Sequence, residues 1–217
     1  MTLNMLIGIL EQGLIYGIMA MGLLITYRIL DFPDLTVDSS FPLGAAVSAT
    51  LTLQGVAPWL TLLIGCAAGG IAGLITGLIH VKCRVRDLLS GIITMTGLYS
   101  INLHIAQNKA NLPLFGGDTL FRNAFTKSLP KAISPYTTLI IIFLIALIAK
   151  ILLDLFLRTK CGYLLRAAGD NPSVVTTLSR DQGTVKILGL IIANALVALA
   201  GAVMCLSLIH ISEPTRP

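Results

Sequence analysis

The sequence predicts an all-α, polytopic helical membrane protein with five full spans and one short broken or re-entrant helix. Three observations carry that expectation. Of 217 residues, 55% are hydrophobic and 12% are charged, against about 25% charged in a soluble domain. Five apolar stretches are each long enough to cross a hydrocarbon core of roughly 30 Å as a helix. No stretch alternates apolar and polar residues as a membrane β-barrel requires. The same composition excludes a soluble globular enzyme, a disordered chain and a nucleic-acid binder. The net charge of +5 is assigned to basic loops on one membrane face.

The first span is placed at residues 4–27. It has no basic leader and carries Glu11 and Gln12, so it reads as a spanning helix and not as a signal peptide. The next apolar stretch, 41–54, holds Pro42 and is followed by Pro58. It is too short for a straight span and is read as broken or re-entrant, packed among the others so that its free backbone groups find partners. Between them, Asp31, Asp34 and Asp38 cluster beside the pairs Phe32-Pro33 and Phe41-Pro42. This is either a plain loop or an ordered lead-in, with Asp38 or Ser39 capping the helix before Pro42.

Further spans are placed at 58–79, 88–106, 137–157 and 184–205. The third segment carries Gly65, Gly69, Gly73 and Gly77, a bare stripe that admits a neighbouring helix to backbone contact. Gly13, Gly17, Gly189, Ala193 and Gly201 have a similar character. The loop from His80 to Asp87 holds Lys82, Arg84 and Arg86, and 158–186 holds Arg158, Lys160, Arg166, Arg180 and Lys186. Two spans separate these basic loops, so they share a side, which the positive-inside rule makes cytoplasmic. Residues 107–135 then face outward. The N-terminus lies outside if 41–54 crosses and inside if it re-enters, and the outside placement is favoured. Lys150 and Asp154 stand one turn apart and are placed to pair.

No catalytic set is visible. His80, His104 and His210 are scattered, and there is neither a phosphate-binding glycine loop nor a Walker-type lysine. Cys66, Cys83, Cys161 and Cys205 have no metal-ligand spacing; all four are expected reduced, with no disulfide and no metal site. No cofactor is expected in this chain. Polar groups inside spans are costly and point to function. Glu11, Tyr99, Asn102 and Asn194 are therefore candidates for a solute path. The competing reading of each asparagine is a hydrogen-bonded bridge between helices.

The most informative stretch is Gly162-Tyr-Leu-Leu-Arg-Ala-Ala-Gly-Asp-Asn-Pro172. A short helix around Arg166 would end at Gly169, and Asn171 would cap a second one with Pro172 at its first position. The stretch resembles the cytoplasmic coupling segment of permease subunits of ATP-binding-cassette importers, in the branch related to branched-chain amino acid and ribose permeases. The resemblance rests on Gly162, Leu165, Arg166, Ala167, Gly169, Asp170, Asn171 and Pro172. Residues Phe32 to Ala46 and Gly91 to Leu103 resemble one branch of the same permeases, with Ser39 standing where a glycine is expected.

The resemblance covers about residues 1–205 and implies a partial permease domain with a coupling loop at 158–183. It implies a permease subunit in the cell membrane that forms the path of an amino acid or similar small organic molecule. The implied partners are ATP-binding-cassette ATPase subunits, a second permease chain, an extracytoplasmic solute-binding protein and the lipid bilayer. ATP hydrolysis would sit in the separate ATPases, so this chain would not be an enzyme. An ion-gradient-driven secondary transporter and a non-transporting membrane assembly protein are the alternative readings. The tail 206–217 does not resemble these permeases. Its Leu206-Ser-Leu-Ile-His-Ile-Ser-Glu-Pro-Thr-Arg216 is similar to one reading frame of a transposase-based sequencing adapter. It is expected to be non-native, and the natural chain is expected to continue into further spans.

Overall fold

The computed structural model describes residues 2–106, 134–170 and 182–211. These form helices and turns, with no strand among the described residues. Helix α1 (Thr2–Leu23) continues into a π-helical stretch, Leu24–Ile29. The others are α2 (Val37–Leu53), α3 (Pro58–Lys82), α4 (Asp87–Ile105), α5 (Ser134–Leu157), α6 (Lys160–Asp170) and α7 (Gln182–Ile211). Five are long and apolar enough to cross a bilayer, running over Met5–Ile29, Pro58–Lys82, Asp87–Ile105, Thr138–Leu157 and Gln182–Ser207.

Helix α7 is the axis of the bundle, with α2, α3 and α4 assembled on one flank and α1 and α5 on the other. Its surface is apolar almost all round, and Leu190, Ala193, Val197, Ala198, Ala202 and Val203 are all buried. A helix apolar on every side has no solvent face and belongs in an interior. It runs on to Ile211, beyond the expected end at 205, with Leu206 and Ser207 buried.

The close approach of α3 to α7 has a specific cause. A Cβ at Gly69 would collide with the Asn194 carbonyl and Ala198, and one at Gly73 with the Leu190 carbonyl. At Gly77 it would come within 2.9 Å of Ile187. The expected glycine stripe thus faces α7 over several turns. Gly44 and Gly201 do the same for α2 against α7, meeting the Ala198 and Phe41 carbonyls. The expectation for Gly13 and Gly17 does not hold, since nothing lies within 4 Å of either. The packed face of α1 and its π-helical continuation is instead formed by Ile15, Ile18 and Ile25, with Gly22 against Ala193 and Val197.

Helix α2 is a single helix that begins ahead of the expected 41–54 and contains Pro42. At 17 residues and about 1.5 Å rise each, it is shorter than an ordinary span. The chain reaches it by reversing at Asp31, which sits in the left-handed region at φ 51. Residues 32–36 then lead back into the bundle. The cap differs from expectation. Thr36 is the N-cap, and neither Asp38 nor Ser39 caps. Asp34 Oδ1 instead accepts from the Thr36 amide at 2.9 Å, forming a turn just ahead of the helix. Asp38 is exposed in the first turn, where a carboxylate favours the positive end of the helix, and Ser39 Oγ donates to the Met95 carbonyl of α4. Lys150 and Asp154 are both exposed on α5, and among the described residues they make no ion pair.

The basic residues gather at one end of the bundle. His80 Nε2 lies 3.4 Å from Lys186 Nζ, joining the end of α3 to the start of α7. The α6 helix and the π-helical end of α1 lie at the same end. All four cysteines are free.

Candidate coupling face and polar interior

Helix α6 is amphipathic, with Gly162, Leu165 and Ala168 buried and Cys161, Tyr163, Arg166 and Asp170 exposed. Its start is a tight turn out of α5. Thr159 Oγ1 donates to the Phe156 carbonyl at 2.6 Å, and the Tyr163 amide bonds the Thr159 carbonyl at 3.1 Å. Gly162 is required there, because a Cβ would strike the Leu157 backbone and the Phe156 carbonyl.

Leu165 is fully buried and anchors the helix. It enters a cluster with Ile25, Leu30, Phe32, Leu153, Leu157 and Leu190, drawn from α1, the following turn, α5 and α7. Full burial of a leucine contributes about 1.5–3 kcal/mol. Gly189 of α7 makes room for it, since a Cβ there would come within 2.8 Å of Leu165 Cδ1. Gly169 does not end the helix as expected. It is helical, with α6 continuing to Asp170, and no left-handed φ occurs there. Its bare face lies against the Ile29 carbonyl, at the end of the π-helical stretch, where any side chain would collide. Ala167 is partly buried beside this seat. Asn171 and Pro172, and the second short helix expected from them, lie outside the described residues. Arg166 and Asp170 line a cavity of about 280 Å³ together with Leu24, Arg28, Ile29 and Leu157.

The four solute-path candidates occupy different settings. Asn194 is fully buried on α7. Its Nδ2 donates to Asp34 Oδ2 at 2.7 Å and to the Leu190 carbonyl at 3.1 Å, while its Oδ1 accepts from Ser40 Oγ at 2.7 Å. Asn102 is half-buried on α4, with Nδ2 donating to the Ser39 carbonyl at 3.0 Å. Its buried Oδ1 accepts no hydrogen bond, an uncommon state for a buried polar atom. The two asparagines therefore grip the adjacent residues Ser39 and Ser40 of α2. Tyr99 is 63% exposed on α4 and takes no part in this. Glu11 stands apart on α1, 7% exposed, in the helix that packs on α5 and α7.

Sequence reasoning did not single out Asp34, whose carboxyl is 1% exposed and lies at the centre of the polar interior. Thr36 extends the group to α3 through a 2.8 Å contact between its hydroxyl and that of Thr76. The signal was the aspartate cluster, but nothing local marks which of the three turns inward.

A family model for the permease component of branched-chain amino acid transport systems matches residues 5–215. Among curated proteins, the tyrosine transport system permease protein of Clostridioides difficile (strain R20291) is 43% identical over 92% of this chain. A probable branched-chain amino acid transport permease protein of Methanocaldococcus jannaschii is 29% identical over 90%. The ribose import permease protein of Bacillus subtilis (strain 168) is 27% identical over 97%. The chain spans 63%, 65% and 62% of the lengths of these three relatives. No solved structure is significantly similar.

Proposed function

The chain belongs to the family of permease components of branched-chain amino acid transport systems, and we propose that it forms part of the solute path of an ATP-binding-cassette importer, with α6 as its contact to a separate ATPase subunit. Members of this family are multi-pass proteins of the plasma membrane and transport components. For this chain we take the solute to be an amino acid or similarly small organic molecule, in keeping with relatives named for tyrosine and branched-chain amino acids. A second permease chain would complete the path, and an extracytoplasmic binding protein would deliver the solute.

One observation carries the coupling part. At the basic end of the bundle, a short helix is pinned by Leu165, Gly162 and Gly169 to three other helices, while Tyr163, Arg166 and Asp170 stay exposed. A helix held that tightly on one side moves with the spans it touches. Its outer face carries an aromatic and an arginine, the residue types that dominate binding energy at protein interfaces.

The test is co-expression with the ATP-binding-cassette ATPase encoded nearest its gene, followed by affinity capture from detergent. The chain should retain the ATPase, and Tyr163→Ala combined with Arg166→Glu should reduce capture at least tenfold while leaving membrane insertion unchanged. Undiminished capture by the double variant would refute the role of α6, and no capture by the unaltered chain would count against the importer reading.

A further inference from the structure

The basic end holds a cavity of about 380 Å³ that the transport reading does not use. It lies between the turn joining α3 to α4 and the start of α7, and its lining includes His80, Arg84, Arg86, Gln182 and Lys186. Its size falls within the range of small-ligand sites, roughly 300–1,000 Å³. Three of these side chains are cationic, and among the described residues no carboxylate lines the cavity.

The local chemistry explains why that charge is unspent. A lysine ammonium only donates, so the 3.4 Å contact makes His80 Nε2 the acceptor. His80 Nδ1 then carries the proton and points to the Val85 carbonyl at 2.9 Å and to Asp87 Oδ1 at 3.1 Å. Asp87, the acid that follows Arg86, is thus engaged by the histidine. Phe32 fixes the imidazole from the side, with the rings edge-on and centroids 5.2 Å apart. Arg84 and Arg86 are exposed, and neither has an acidic partner among the described residues. Arg84 also sits in the left-handed region at φ 53.

The surroundings identify the source of the anion. Arg86 directly precedes the span Asp87–Ile105, so the cavity stands at the depth where a bilayer's headgroups begin. Leu88 and Leu89 follow at once and are 49% and 50% exposed, offering apolar surface to an acyl chain below the charged site. The excess of basic residues assigns this end to the cytoplasm. Basic pockets beside spans on that face bind anionic headgroups.

We propose that this cavity seats the phosphate headgroup of an anionic phospholipid of the cytoplasmic leaflet, held by Arg84, Arg86 and Lys186. The phosphate would accept from the two guanidinium groups and from the remaining ammonium hydrogens of Lys186, while the glycerol backbone and chains descend along α4.

The full 217-residue chain, purified in a neutral detergent, is titrated with dioleoylphosphatidylglycerol or dioleoylphosphatidylcholine and read by native mass spectrometry. Retention of the anionic lipid should exceed that of the zwitterionic one at least tenfold. Arg84→Gln with Arg86→Gln should weaken it about 25-fold, at about fivefold per cation removed near a headgroup. Arg84→Lys with Arg86→Lys should keep most of it, which guards against a folding artefact. Lys82→Gln with Arg158→Gln, which removes the same charge from the same end outside the cavity lining, should change it less than twofold. Equal retention of the two lipids, or an equal loss in the off-cavity control, would overturn the site. Displacement by inorganic phosphate at the lipid's own concentration would overturn the lipid assignment in favour of a soluble anion.

Discussion

Replacing Asn194 by alanine removes a side chain that makes three hydrogen bonds inside the bundle. The two contacts at 2.7 Å reach Ser40 and Asp34, on or just before α2. Among the described residues, the side chain of Asp34 is left with one donor, the Thr36 amide. A neutral interhelical hydrogen bond in a membrane protein contributes about 0.6 kcal/mol on average and up to about 1.7. A bond to a charged group contributes about 1.5–3 kcal/mol. Asn194→Ala should therefore destabilise the fold by about 2–4 kcal/mol. Most of that loss should arise from stranding the carboxylate, so Asp34→Ala made in the Asn194→Ala background should cost far less than alone. The coupling in a double-mutant cycle should be about 1.5–3 kcal/mol. Reversible unfolding in mixed micelles, followed by the fluorescence of the chain's single tryptophan, Trp59, measures each variant. An Asn194→Ala protein within about 0.5 kcal/mol of the parent, or additivity of the two changes within the same margin, would refute the reasoning.

The α3–α7 contact predicts a contrast between two glycines on one helix. Gly73→Ala should destabilise the same unfolding transition by about 1–3 kcal/mol, because the new methyl meets the Leu190 carbonyl, whereas Gly70→Ala should be neutral or stabilising by up to about 1 kcal/mol, because its nearest neighbour would be Ile191 Cγ2 at 3.5 Å. Cys83 and Cys161 are both exposed at the basic end. A membrane-impermeant thiol reagent should spare both in intact cells and label both in inverted vesicles, and labelling of either from outside would reverse the orientation.

The spans were legible because burial in lipid demands an uninterrupted apolar run, and such a run is local. Residues 58–79 and 88–106 were expected where Pro58–Lys82 and Asp87–Ile105 are found. Helix α2 was expected over the apolar run 41–54 and begins earlier, at Val37, because its first turn is largely polar and falls outside that run. A proline removes one donor and bends the chain, yet here it lies inside the helix, one residue on from Phe41, whose carbonyl meets Gly201. The glycines of α3 announced a close-packed partner by their spacing, but not which helix it is. Gly13 and Gly17 show the limit of that signal: the same spacing on α1 meets nothing within this chain. Gly169 was read as a helix stop because glycine commonly ends helices. Its actual role, admitting the Ile29 carbonyl, depends on a residue 140 positions earlier that no local pattern can show. The polar interior was the least legible part, for the same reason. Asn194 was recognised as costly in a span, but its partners Asp34 and Ser40 lie 160 and 154 residues away.

Leu190 joins the two parts of the site. Its side chain packs in the cluster that holds Leu165 of α6, its carbonyl accepts from Asn194, and that same carbonyl abuts Gly73 of α3. The seat of α6 and the polar grip on α2 are therefore built on neighbouring turns of one continuous helix. Proline is a common cause of a sharp helix bend, and α7 runs as one α-helix with no proline between Gln182 and Ile211. A push on α6 in the proposed importer would move α7 as a body, and with it α2 and α3, whose backbones touch it without intervening side chains. Packed cores respond to such a load by switching between discrete arrangements, not by yielding gradually. The short hydrogen bonds of Asn194 to Asp34 and Ser40 would carry that motion to α2, because the glycine contacts allow helices to slide while those bonds do not.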